Sequence, residues 1–291
     1  MKKTICAVIV TYNRLDVFKK SLASMIEQSH QPTVIVAVNN NSKDGTKEYL
    51  DSFDKNGIVK PLHITENIGY PGGIEQGMIY GRSLADFDYY LIMDDDTYHD
   101  KYTLEKLVAN MEGTDYGIMG LNGMNIKLGT KRALNNSTEA VTQCDYVLID
   151  GALVTKEVVE KVGRPNEKLF LMAEDWEYCL RIRKHGFKVA SLNNIPVDRL
   201  YLGGQGGGYS RSTLWRGYYQ SRNHFLIMHQ YFSFSHLYGH VLRQLKFMFS
   251  ALLYAPDRFK RVRFRLMGMW HGIINKGGKT LDPDTLKFIK R

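Results

Sequence analysis

Cysteine is scarce in this 291-residue chain: Cys6, Cys144 and Cys179 are odd in number, scattered, and form no Cys-Xaa-Xaa-Cys pair or cysteine–histidine cluster. That argues against a disulfide scaffold and structural zinc, and fits a reducing cytosol. Long apolar runs are missing too, and no stretch reaches the roughly 18 residues of a membrane span. The short apolar run after Lys2 and Lys3 stops at Thr11-Tyr12-Asn13-Arg14, too early for a secretory leader, and no small-residue cleavage site follows. Neither Gly-Xaa-Gly-Xaa-Xaa-Gly nor a Walker sequence occurs, which speaks against dinucleotide and P-loop chemistry. An RNP-type signature is absent as well, so no nucleic-acid partner is expected.

Acidic side chains are nearly absent from the last third. From Arg199 onward there are 16 Lys or Arg against 3 Asp, whereas the first 198 residues hold 23 basic and 27 acidic. The net charge of +9 is therefore wholly an excess of the C-terminal part. That part is also rich in aromatics and Met, so its expected neighbour is anionic and partly apolar, as an anionic membrane surface is. Arg258-Phe259-Lys260-Arg261-Val262-Arg263-Phe264-Arg265-Leu266-Met267 carries the pattern most densely. A helix packed on the protein with a solvated basic side accounts for it equally well.

The rest of the chain is regular. Ile5 to Val10, Val34 to Val38, Val59 to Ile64 and Tyr89 to Met93 read as strands. Helical spacing follows each: Leu15, Phe18, Leu22, Met25 and Ile26; a segment from Thr46; Ile74 to Leu84; and Thr103 to Met111. Such alternation predicts a wound, mostly parallel α/β sheet with right-handed crossovers. A less regular span includes Tyr116 to Leu121 and Tyr146 to Ile149, then a short helix from Val158 ended by Gly163, and a strand over Phe187 to Leu192. Five glycines in six positions at Gly203–Gly208 fit a mobile lid and a plain linker alike. Long helices are predicted over Trp215 to Tyr231 and Leu237 to Tyr254. The expected organisation is a sheet domain over 1–202, a Gly-rich loop over 203–209 and a basic, amphipathic helical region over 210–291.

The Tyr89 strand is almost wholly apolar, as burial on both faces requires, and runs straight into Asp94-Asp95-Asp96. Ligands of open α/β sheets gather at the carboxyl ends of strands. Adjacent carboxylates repel unless a cation lies between them, and a hard divalent ion such as Mn²⁺ or Mg²⁺ is the simplest one. An acid-rich helix cap is the competing explanation, although one Asp suffices for a cap. Glu174 and Asp175 likewise open a predicted helix, where they serve either chemistry or the helix dipole.

Taken together, five stretches resemble a known set. Val8-Ile9-Val10-Thr11-Tyr12-Asn13-Arg14, Asn40-Asn41-Ser42-Lys43-Asp44-Gly45-Thr46, Glu66-Asn67-Ile68-Gly69 with Gly72-Gly73, Asp94-Asp95-Asp96 and Glu174-Asp175 occur in order. They resemble the motifs of the family 2 inverting glycosyltransferases with a GT-A fold, most of all the bacterial galactofuranosyl- and rhamnosyltransferases that extend surface glycans. The resemblance implies a nucleotide-sugar donor, UDP-galactofuranose ahead of dTDP-rhamnose, together with Mn²⁺ or Mg²⁺ and a hydroxyl acceptor on a lipid-linked or surface glycan. It implies that Asp94 and Asp96 bind the metal, and that Asp94 and Asp95 meet the nucleotide sugar. Asp175 would take the acceptor proton, with Glu174 beside it. Thr11, Tyr12 and Arg14 would line the nucleotide pocket, Tyr12 at the base and Arg14 near phosphate. Asn67, Gly69, Gly72 and Gly73 would let backbone approach the nucleotide, although a plain turn uses the same residues.

Two positions depart from the family pattern. Asn39 stands where relatives usually carry an Asp that reads the base; its carbonyl can still accept the uracil or thymine N–H. No His follows the last sheet strand as an extra metal ligand, and Asp198 is the substitute. His185, His224 and His229 fall in helical patterns, as packing or surface residues do. The expectation is a cytoplasmic enzyme lying peripherally on the inner face of the cell membrane, with monomer and homo-oligomer both admitted. Two other readings use part of the same residues. A non-catalytic nucleotide-sugar-binding partner would not need intact Asp94, Asp96 and Asp175, and a metal-dependent nucleotidyltransferase would not need Glu174-Asp175.

Overall fold

The structure is a computed structural model that describes residues 2–127, 130–134, 139–200, 209–210 and 212–289. The Gly-rich segment expected over 203–209 lies, apart from Tyr209, outside the described residues. The first elements alternate as β1 (Ile5–Thr11), α1 (Leu15–Ile26), β2 (Val34–Asn39), α2 (Thr46–Asp51), β3 (Val59–His63), α3 (Tyr70–Leu84) and β4 (Tyr89–Asp94). β5 (Thr97–His99) and α4 (Thr103–Met111) follow, then β6 (Tyr116–Gly120), β7 (Gly123–Lys127), β8 (Thr130–Ala133), β9 (Val141–Gln143), β10 (Tyr146–Val147) and β11 (Ala152–Thr155). The chain continues through α5 (Lys156–Lys161), a 3-10 turn at Glu167–Leu169, α6 (Glu174–Lys184), β12 (Lys188–Leu192) and β13 (Val197–Arg199). Three long helices follow: α7 (Ser212–Gln230), α8 (Phe234–Tyr254) and α9 (Arg258–Ile273).

Eight strands form the main sheet in the order β3-β2-β1-β4-β11-β6-β12-β9. β1 pairs in parallel with β2 and β4, β2 with β3, and β6 with β12. The mostly parallel sheet expected from the alternation is present. What the sequence did not announce is β11, antiparallel between β4 and β6, and β9, antiparallel at the β12 edge.

The two faces of β1 show how the sheet is clad. Ile5, Ala7 and Ile9 share a buried cluster with Phe18, Leu22 and Met25 of α1 and with Leu104 and Leu107 of α4. On the other face Cys6, Val8 and Val10 lie under α3, where Gly73, Gly77 and Gly81 recur every fourth residue. A Cβ on Gly73 would stand 2.7 Å from Val10 Cγ1, one on Gly81 2.5 Å from Cys6 Sγ, and one on Gly77 would overlap Val8. The glycine stripe therefore lets α3 sit directly on the valines. This corrects the expectation for Gly72 and Gly73: they belong to the first turn of α3, which begins at Tyr70 rather than Ile74. Gly73 serves helix–sheet packing.

The chain divides into two compact units, one of Met1–Asn125, Ala133–Asn166 and Asp175–Leu200, the other of Ile126–Arg132, Glu167–Glu174 and Tyr201–Arg291. The short stretch Glu167–Glu174 thus groups with the C-terminal helices. Its carbonyls are bound by α7: Asn223 Nδ2 lies 2.9, 2.8 and 2.6 Å from the oxygens of Leu169, Leu171 and Met172, and Arg222 Nη2 donates to Leu169 O at 2.8 Å. In the same unit Gly268 and Gly272 of α9 face the α7 backbone at Tyr218 and Arg222, leaving no room there for a side chain.

Candidate active site

The carboxyl ends of β1, β2 and β3 are stitched together by amides and short acids. Asn40 N–H donates to Thr11 O at 3.0 Å, and Asn40 Nδ2 donates to Asn67 Oδ1 and Gly69 O at 3.3 and 3.1 Å. Asn67 Oδ1 also accepts from Gly69 N–H at 2.9 Å, while Asp44 Oδ2 accepts from Leu15 N–H at 2.8 Å and so opens α1. Asn39 is buried; its Oδ1 accepts from Ser42 N–H at 2.8 Å and its Nδ2 lies 3.3 Å from His63 Nδ1. These bonds give Asn39, Asn67 and Gly69 a bracing task within the loops. Tyr12 is half-buried at the end of β1.

β4 delivers the acidic triplet beside this platform. Asp95 is buried; its Oδ2 accepts from Thr11 Oγ1 at 2.8 Å and its Oδ1 from Arg14 Nη1 at 3.0 Å. Arg14 Nη1 also reaches Asp96 Oδ2 at 3.3 Å, so its guanidinium is committed to carboxylates. A fourth acid, which sequence reasoning missed, completes the group: Asp150 Oδ1 accepts from Asp94 N–H at 2.8 Å and its Oδ2 from Thr97 Oγ1 at 2.6 Å. Burial and then the charges of Asp150, Asp96 and Asp95 hold the Asp94 carboxyl well above the ordinary carboxylate range. Burial also raises Asp95, opposed by Arg14 and the Thr11 bond.

One turn ties this group to the other pair of acids. Ile149 N–H donates to Asp175 Oδ1 at 2.9 Å, Asp150 grips the triplet, and Gly151 N–H donates to Ile92 O of β4 at 2.8 Å. Gly151 has φ +78°, and a Cβ there would stand 2.7 Å from His99 Cε1. Glu174 and Asp175 are half-buried at the start of α6. The chain enters that helix under backbone strain: Phe170, Met172 and Ala173 have φ of 60, 74 and 70°. Asn223 binds the carbonyls along this strap. Sequence reasoning missed Asn223 and Arg222; their signal was a polar pair on the face of α7 that also carries Tyr218 and Tyr219, all of them buried.

The fit to a cation is mixed in geometry and clear in charge. Asp198 lies on β13, which pairs with β5 so that Asp198 stands opposite Tyr98, and Leu200 N–H donates to Asp96 O at 3.0 Å. Yet Asp198 is exposed, and among the described residues no three His, Cys, Asp or Glu side chains are gathered closely enough to hold a metal. Asp94, Asp96 and Asp198 are thus not assembled as a ligand trio. Asp95 and Asp96 nevertheless pair with the one guanidinium of Arg14, while Asp94 feels the charges of Asp150, Asp96 and Asp95 against that of Arg14. That excess of negative charge, displayed in the raised Asp94 carboxyl, is what a hard divalent ion relieves.

Comparison with known proteins follows the same lines. The model of the family "Glycosyl transferase family 2" matches residues 6–169. The chain is 27% identical over 251 residues to the dTDP-rhamnosyl transferase RfbF of Shigella flexneri, covering 78% of this chain and 81% of that one. It is 22% identical over 204 residues to the galactofuranosyltransferase GlfT1 of Mycolicibacterium smegmatis, covering 63% and 67%. With the low-salt glycan biosynthesis hexosyltransferase Agl10 of Haloferax volcanii it shares 21% over 276 residues, covering 84% of each. Among solved structures, the mannosyltransferase PcManGT of Pyrobaculum calidifontis, in complex with GDP-Man and Mn²⁺, superposes with a TM-score of 0.59 at 13% identity, covering 95% of this chain and 88% of that one. GalNAc-T7, solved with UDP, GalNAc and Mn²⁺, does so with a TM-score of 0.62 at 15% identity; 94% of this chain corresponds to 56% of that enzyme. The fold is the GT-A type expected from the sequence.

Proposed function

The chain belongs to glycosyl transferase family 2 and is a glycosyltransferase, and we propose that it moves galactofuranose from UDP-galactofuranose to a hydroxyl of a lipid-linked or surface glycan in one displacement. The observation that carries this reading is the Ile149-Asp150-Gly151 turn, which bonds the triplet and Asp175 into one group of acids beside the loops of β1, β2 and β3. Asp175 takes the acceptor proton as the acceptor oxygen bonds to the anomeric carbon, and the bond from that carbon to the diphosphate breaks with its electron pair leaving on phosphate. Glu174 stands beside Asp175 at the helix start, Thr11 and Arg14 hold Asp95 toward the donor, and Tyr12 flanks the base. Asp94 and Asp96 would hold Mn²⁺ or Mg²⁺, which supplies Lewis-acid stabilisation of the departing diphosphate. dTDP-rhamnose is the second donor reading, favoured by the greater identity and coverage of the Shigella rhamnosyltransferase.

A peripheral position on an anionic membrane, facing the cytoplasm, belongs to the same proposal. Among the described residues no helix is long and apolar enough to cross a membrane. Support comes from large side chains left exposed on the C-terminal helices, Phe234, Phe249 and Leu253 on α8 and Phe259 and Trp270 on α9, close in sequence to Arg258, Lys260 and Arg263. Arg261 departs from the expected basic stripe. It is buried, bonds Thr213 Oγ1 at 2.6 Å and Ser210 O at 2.9 Å, and pairs with Asp257.

Calorimetry with UDP-galactofuranose, dTDP-rhamnose and UDP-glucose, with and without Mn²⁺, tests the donor; metal-dependent binding of UDP-galactofuranose alone is the expected result, and binding of dTDP-rhamnose instead exchanges the two readings. Asp175→Asn keeps the oxygen that accepts from Ile149, so donor binding should persist while transfer falls about 10²- to 10⁴-fold. Near-normal turnover in that variant removes the base assignment.

A further inference from the structure

The C-terminal helices enclose a cavity of about 250 Å³ that the sugar-transfer reading does not use. Its walls come from α7, α8 and α9, with Arg261, Arg265, Leu214, Phe247 and Ser250 among them, and with Tyr209 at the edge. The two guanidiniums differ. Arg261 uses all three of its nitrogens, on Asp257, Thr213 and Ser210, with Asp257 as its counter-ion. Arg265 gives one hydrogen bond, from Nη1 to the neutral Gln244 Oε1 at 2.7 Å, and lies 4.5 Å from the centre of the Phe247 ring. Among the described residues no carboxylate pairs with it, and no acidic side chain lines the cavity. Burial, then the neighbouring Arg261, push the Arg265 guanidinium down to about 10, so at neutral pH it remains charged without a counter-ion. Gly217 makes the space for it: a Cβ there would stand 3.2 Å from Arg265 Nη2.

An arginine fork with unused donors in a partly buried pocket is matched to a planar or tetrahedral oxyanion. Hydroxyls add to it, since Ser250 Oγ and Tyr209 Oη lie 2.8 Å apart at the wall and Thr213 Oγ1 sits on Arg261. The rest of the lining is apolar, Leu214, Phe247 and Ala251, and the same helix α8 leaves Phe249, Leu253 and Tyr254 exposed next along the chain. We propose that this cavity binds the phosphoryl group of an amphiphile, with Arg265 as the anchoring cation and the apolar side chains of α8 beside the tail. Every residue involved lies in the second unit, so the site stands or falls separately from the donor reading.

Calorimetric titration of the full chain with dihexanoyl phosphatidic acid, inorganic phosphate and dihexanoyl phosphatidylcholine tests it. Phosphatidic acid should saturate at one site per chain, inorganic phosphate should compete for that site more weakly, and phosphatidylcholine should not compete. Arg265→Gln should weaken phosphatidic acid at least ten-fold, and Arg265→Lys, which keeps charge but not the fork, should fall between. Should Arg265→Gln unfold, Ser250→Phe decides, because it fills the cavity and leaves the guanidinium in place. Inorganic phosphate binding as tightly as the lipid would keep the site and make free phosphate its ligand. Absence of saturable binding by the wild type, or undiminished binding in the folded variants, overturns the proposal.

Discussion

Asn223→Ala probes the device that leads the chain into Asp175. Its amide group has two hydrogens and three carbonyls within bonding distance, at Leu169, Leu171 and Met172. Leu169 O keeps Arg222 Nη2 and Leu171 N–H as donors, but the half-buried carbonyls of Leu171 and Met172 lose theirs, at about 1–3 kcal/mol each when nothing replaces it. Against that stands the cost of Phe170, Met172 and Ala173 in the left-handed region, about 1–3 kcal/mol each. The two sums are comparable, so without Asn223 the strained path loses its advantage over a relaxed one. We expect a thermal midpoint lower by about 5 °C, from roughly 2–3 kcal/mol in a chain of this size. We also expect kcat lower by about 10²-fold, the scale set by a misplacement of ~1 Å at a reacting group. KM for the donor should hold. Asn223→Asp keeps the size, offers no donor and should behave like the alanine variant. Differential scanning calorimetry and initial rates on the same preparations report both quantities. A lowered midpoint with unchanged kcat would refute the argument that the strap positions Asp175.

Gly77→Ala should destabilise by about 1–3 kcal/mol, read by urea unfolding, because its methyl overlaps Val8 and meets Val38 Cγ2 at 2.9 Å; an unchanged midpoint would mean α3 can lift from the sheet without cost. Asp94→Asn should raise the melting temperature at neutral pH in metal-free buffer. A carboxyl raised in the folded state destabilises it as pH climbs through that range, and the amide removes the repulsion. The same variant should lose the stabilisation that Mn²⁺ gives the wild type, and equal stabilisation of both would detach Asp94 from the cation. In the helical unit His236 and His240 are buried and held down to about 4 and about 3 by burial and by Arg243. Their folded-state values lie below the unfolded ones, so their contribution is complete above pH ~6.5 and is lost as pH falls toward 4, by roughly 1.4 kcal/mol per pH unit for each. Unfolding of that unit followed between pH 7 and 4 should show this slope, and His240→Gln should reduce it.

The sequence by itself determined the wound sheet and where its acidic clusters stand on it. The strands β1, β2 and β4 are continuous apolar runs with helical periodicity between them, and both signals are local, so they need no knowledge of partners. Glu174-Asp175 opening α6 and the acidic triplet at the end of β4 were legible for the same reason. Short strands such as β9 and β11 were not, because a segment of three or four residues becomes a strand only when a neighbour offers its ladder. Gly73 looked like loop and proved to be helix, since close packing on Val10 outweighs glycine's poor helical propensity. Asp150 reaches Asp94 across 56 residues, and Asn223 reaches Met172 across 51. Tertiary structure alone decided those two roles, and also that Arg14 answers carboxylates and that Arg261 turns inward while Arg265 lacks an acidic partner among the described residues. A side chain's charge is written in the sequence, but the field it sits in is made by segments the sequence holds far apart.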